Sequence, residues 1–83
     1  MALVSRAHGK LLAAGFLPSQ QTEDYERWID ASRRGDDISF YKSGKSTDVF
    51  RVHGREQDKP EFDEFNSYYT QNLSEAIRVS RFK

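Results

Sequence analysis

The alternation of large apolar residues in Asp36–His53, DDISFYKSGKSTDVFRVH, restricts the fold more than any other stretch of the chain. Ile38 and Phe40 are spaced two apart, and so are Phe50 and Val52. That is the period of a β-strand with one buried face. If all four share that face, Phe40 lies opposite Phe50 and Ile38 opposite Val52. The same register sets Asp37 against His53, Ser39 against Arg51, Lys42 against Asp48 and Ser43 against Thr47. It requires a connection with an odd number of residues, either three (Gly44, Lys45 and Ser46) or five. A two-residue turn would set Phe40 against Val49 and turn Phe50 and Val52 outward, since a one-residue slip exchanges the faces of a strand. The second face of the hairpin carries Ser39, Tyr41, Val49, Arg51 and His53.

A two-stranded hairpin is marginal alone and needs further partners. With 83 residues the chain makes one domain with one small core, here taken as residues 1–83. Thirteen basic and thirteen acidic residues would suit a disordered chain, but six Phe, four Tyr and one Trp supply an aromatic core. Zero net charge gives no overall field toward nucleic acid or anionic membrane. The chain has no cysteine, which excludes disulfides and thiolate metal sites and fits a cytoplasmic protein. No apolar run approaches the roughly 20 residues of a membrane span, and Arg6, His8, Gly9 and Lys10 interrupt any signal-peptide core.

Residues 2–14 read as a helix, with Leu3, Ala7, Leu11 and Ala14 on one stripe and Val4 and Leu12 beside it. Gly15 suits the left-handed position after its end, Phe16 and Leu17 fold back onto the core, and Pro18 blocks continuation. The polar residues 19–22 read as a loop. Residues 23–34 support two readings. As a helix, Thr22 caps it, Glu23 and Asp24 suit its start, and Arg33, Arg34 and Gly35 suit its end. As a strand, Tyr25 and Ile29 point inward and Trp28 points outward beside Tyr41. The strand is preferred because the hairpin needs a third partner. Residues 55–61 are a loop. Pro60 then begins a helical turn through Phe62 and Phe65 or precedes an extended segment through Tyr68 and Tyr69. Asn72 caps a last helix, with Glu75 three residues later as in a capping box and Leu73, Ala76, Ile77 and Ser80 on its inner face. The expected fold is α+β: a small antiparallel sheet built on the 38–53 hairpin, with the terminal helices on one face, in helix-strand-strand-strand-helix order. The alternative keeps 23–34 helical. This element order is loosely similar to the double-stranded-RNA-binding fold and to HicA-type RNA-cleaving toxins. Those toxins carry a histidine in an early strand, where residues 23–34 have none, so the resemblance transfers no function.

Few side chains suggest chemistry. SGKST at 43–47 resembles the end of a phosphate-binding loop, but Ser39 stands where that pattern needs glycine, and a strand follows where it needs a helix. Arg34-Gly35-Asp36 matches an adhesion tripeptide and fits a plain turn. Glu56, Asp58, Glu61, Asp63 and Glu64 lack the glycine and spacing of a calcium loop and read as an acidic surface. His8 falls on a solvated helix flank. His53 has Arg51 on its face and Asp37 opposite, a carboxylate that can orient the ring and raise its pKa; the plainer reading is a surface histidine making one ordinary hydrogen bond.

No catalytic residue, metal, cofactor or small-molecule substrate is inferred. The expected function is a non-enzymatic regulator or inhibitor that binds a protein partner, of the size and composition of phage and plasmid accessory proteins. The expected site is Trp28, Tyr41, Arg51 and His53, with Lys45 and Arg55 nearby. One alternative is an RNA- or DNA-binding module that stacks bases on the aromatics of the same face. The other is a small ribonuclease using His53.

Overall fold

A computed structural model describes residues 2–41, 49–54 and 62–81. The elements run α1 (Ala2–Ala13), β1 (Phe16–Gln21), β2 (Tyr25–Asp30), β3 (Asp37–Tyr41), β4 (Phe50–His53), β5 (Ser67–Thr70) and α2 (Leu73–Arg81). The five strands form one antiparallel sheet in chain order, each hydrogen-bonded to the next. Both helices cover the same face of the sheet. Between them lie Ala7, Leu11, Phe16, Trp28, Ile38, Phe40, Phe50, Val52, Leu73, Ala76 and Val79. The class is α+β, as the sequence implied, with two strands more than the three expected.

The β3–β4 register is the one the alternation requires. Asp37 pairs with His53, Ile38 with Val52 and Ser39 with Arg51. The Phe40 and Phe50 rings meet edge to face, 5.2 Å between centroids, a favoured aromatic geometry. The proposed hairpin tip and its Lys42–Asp48 and Ser43–Thr47 pairs fall outside the described residues, as does the 55–61 loop.

At the end of α1, Gly15 takes a φ of +90°, the left-handed conformation that only glycine adopts freely. The chain turns there and buries Phe16. Residues 19–21, expected in a loop, belong to β1, while Thr22 lies beyond it in the turn. Only Phe16 of that strand is buried, so its residues show no apolar alternation. The register shifts between Pro18 and Gln20, an irregularity suited to an edge strand. Backbone pairing with β2 makes this segment a strand.

Residues 25–30 are extended, which decides between the two readings of 23–34. Thr22 makes the bond that suggested a helix cap, accepting from the Tyr25 amide at 3.1 Å. Its own amide donates to the Tyr25 carbonyl at 2.8 Å and closes a β-hairpin instead. The faces of β2 are reversed from expectation. Glu26, Trp28 and Asp30 point to the helices, while Tyr25, Arg27 and Ile29 lie on the other face. Trp28, expected outside beside Tyr41, is only 2% exposed and pairs with Ile38.

Two buried carboxylates make that phase tenable. Glu26 accepts the Trp28 indole N–H at 2.8 Å and bonds His8 Nε2 at 2.8 and 3.0 Å. His8, expected in solvent, therefore ties α1 to the sheet. Asp30 accepts from the Ser32 amide and hydroxyl, the Gly35 amide and Arg81 Nε. Burial raises its pKa, but the Ser32 bonds and Arg81 outweigh that and hold it at about 2. A Cβ on Gly35 would lie 2.6 Å from Ser80 Oγ and 2.8 Å from Asp30 Oδ2, so this crossing needs glycine. Gly35 and Asp36 are buried, and the adhesion-like tripeptide is not displayed.

Pro60 lies outside the described residues; beyond it the extended reading through Tyr68 and Tyr69 holds, and in place of a helical turn through Phe65 there is a tight turn at 63–66. There Asp63 Oδ1 accepts from the amides of Phe65 and Ser67, and β5 begins. Asn72 caps α2, accepting from the Glu75 amide at 3.2 Å. The Glu75 side chain binds Tyr68 and Arg78 rather than completing a capping box. Val79 joins Leu73, Ala76 and Ser80 on the buried face of α2.

Candidate functional site

Antiparallel pairing lines up the outer residues of neighbouring strands in rows. Tyr25 pairs with Tyr41. Arg27, Ser39, Arg51 and Tyr69 form the next row, across four strands. Asp37, His53 and Ser67 form the third. Both helices lie on the opposite face.

The rows differ in chemistry. Tyr25 and Tyr41 rings lie 5.1 Å apart, and Tyr41 is 67% exposed. Val49 and Tyr69 are also exposed. With Thr22, Ser39, Phe40 and Arg51 these residues line an open groove of about 500 Å³. Arg51 lies over the Tyr69 ring, 5.7 Å from its centroid, and donates from Nε to Ser67 Oγ at 2.9 Å. Arg27 is engaged elsewhere, paired through Nε with Asp37 at 2.9 Å.

His53 does not behave as its neighbour Asp37 suggested. Its Nε2 is hydrogen-bonded to Ser39 Oγ at 2.5 Å. Burial, then Arg27, then Arg51 lower its pKa to about 4, against the smaller raising effects of Asp37 and Asp36. The ring is neutral at pH 7, a surface hydrogen-bond partner with little basic strength.

The structure thus brings together Tyr41, Arg51 and His53 of the expected site and removes Trp28, which is core. Lys45 and Arg55 lie outside the described residues. Tyr25 and Tyr69 were missed as members of the face. Tyr25 was missed because β2 was read in the wrong phase. Tyr69 was legible once Tyr68-Tyr69 is a strand, since successive residues point to opposite faces. Among the described residues no group of three or more His, Asp or Glu side chains is placed to hold a metal ion. No helix among them is long and apolar enough to cross a membrane.

No protein-family model matches the chain, and no curated protein or solved structure matches it.

Proposed function

We propose that the protein is a non-enzymatic interaction module that binds a protein partner through the outer face of its sheet and regulates or inhibits that partner by occupying its surface. The observation that carries this reading is the groove between Tyr25, Tyr41, Val49, Arg51 and Tyr69. Tyrosine and arginine are enriched among the residues that dominate binding energy at interfaces. Exposed side chains of this size gathered in one place are what a docking site presents. The chain's lack of cysteine suits the cytoplasm as the place of this binding.

Two features favour a protein partner over RNA or DNA. Net charge is zero, and on the face itself the Arg27 charge is offset by Asp37. Nucleic-acid binding draws much of its affinity from several phosphate contacts. Trp28, the best stacking surface in the chain, is in the core. The ribonuclease reading loses support for another reason: a general base works best with a pKa near the working pH, and that of His53 is about 4.

The test is affinity capture from the native host with the wild-type protein and the Tyr41→Ala/Tyr69→Ala double variant as baits. The expected result is a protein retained by the wild type and lost by the variant, with the two melting temperatures within a few degrees of each other. Equal capture by both baits would assign binding to another surface.

A further inference from the structure

The groove has an asymmetric charge. Tyr25, Tyr41 and Val49 supply apolar and aromatic wall, and Arg51 with Tyr69 supplies the rest, with Thr22 and Ser39 as neutral hydroxyls. Among the described residues of that face the acid is Asp37, and Arg27 holds it. Arg51 spends Nε on Ser67, and its two terminal nitrogens donate to no other described residue. A guanidinium fixed through Nε, with both terminal N–H groups available, is arranged to take a carboxylate in paired hydrogen bonds. Its seat over the Tyr69 ring holds the plane in place.

We infer that the groove recognises a partner segment that presents an aromatic side chain beside a carboxylate, the ring entering between Tyr41, Val49 and Tyr69 and the carboxylate meeting Arg51. This rests on the docking reading of the same face and assigns the chemistry of what docks there. A groove of about 500 Å³ is within the size of sites that enclose small groups. Ring-on-ring contacts with Tyr41 and Tyr69 give the aromatic its preference, since offset or edge-on aromatic pairs gain beyond area burial. Among the described residues that line the groove Arg51 is the one cation, and one cation matches one carboxylate. A single strand of nucleic acid, with a phosphate at every nucleotide, asks for several.

The test is a titration of ¹⁵N-labelled protein with N-acetylphenylalanine, which carries the ring and the carboxylate, and with its neutral amide. Both should bind in the millimolar range and shift the amides of Tyr41, Val49, Arg51 and Tyr69. At low salt the acid should bind about tenfold more tightly than the amide, the worth of a charge-assisted hydrogen bond. In Arg51→Gln the acid should lose that advantage while the Tyr41 amide still responds. If the variant does not fold, the acid-to-amide ratio in the wild type decides alone. Equal binding of both probes at the groove would overturn the carboxylate assignment and leave the docking face standing. Shifts confined to other surfaces would overturn this inference, while the docking face would still be judged by the capture experiment. Tighter, salt-dependent binding of octauridylate to the same residues would overturn the inference in favour of a nucleic-acid ligand.

Discussion

The indole N–H of Trp28 donates to the carboxylate of Glu26, two residues earlier on the same strand and on the same buried face. This bond reconciles an ionisable side chain with the core, and it leads to the first prediction. Trp28 fluorescence should be blue-shifted and poorly quenched by acrylamide in the free protein. Glu26→Ala would leave the indole N–H unpaired in the interior and deprive His8 of its partner, at a cost of about 2–4 kcal/mol. A denaturant melt of the variant checks the cost. Red-shifted, readily quenched emission from the wild type would contradict the burial of Trp28.

Phe50 packs edge to face on Phe40 and is 5% exposed. Phe50→Ala should destabilise the protein by about 3–5 kcal/mol, the usual range for a buried aromatic truncation. Tyr41→Ala, on the opposite face, should change stability by no more than about 1 kcal/mol. Urea melts of the two variants side by side would show whether the faces are assigned correctly.

Asp30 joins the β2–β3 connection to the end of α2. Arg81 also donates to the Ala14 carbonyl and covers the Phe16 ring, so one ion pair ties three parts of the chain together. Asp30→Ala should cost about 2–4 kcal/mol, because it removes the buried acceptor shared by the Ser32 amide and hydroxyl, the Gly35 amide and Arg81 Nε. The pH dependence follows from the depressed pKa. The unfolded carboxyl titrates near 3.8 and the folded one near 2, so the Asp30 contribution is complete above about 4 and is lost as pH falls through 2. Melting temperatures of the wild type and Asp30→Asn between pH 5 and pH 2 should converge at the acid end.

His53 gives the opposite kind of signature from the one its sequence neighbours suggested. Its folded pKa of about 4 lies below the ordinary 6.5, so the unfolded chain binds the proton more readily. Stability should therefore fall as pH drops from about 6.5 to about 4, and this share of the loss should be absent in His53→Gln. A ¹⁵N-detected titration of the imidazole should have its midpoint near pH 4. A midpoint at or above 6.5 would show that Asp37 outweighs burial and the two arginines.

The hairpin register, the α+β class and the turn at Gly15 were legible in the sequence, because each rests on local chemistry: a period of two with four large apolar residues, two amphipathic ends, and a glycine before a buried phenylalanine. The capping of α2 by Asn72 was legible for the same reason. β1 was hidden because an edge strand with a single buried side chain has no apolar alternation to read. Only its pairing with β2 makes it a strand. The phase of β2 was decided by tertiary structure, since in YERWID the larger count of apolar residues lies on the face that turned out open. The inner face holds one tryptophan between two carboxylates, and it is buried because His8 from α1 and Arg81 from α2 arrive to bond those carboxylates. Those partners are 18 and 51 residues away in the chain. The groove depends on the same folding event, because turning Trp28 inward is what turns Tyr25 outward to meet Tyr41.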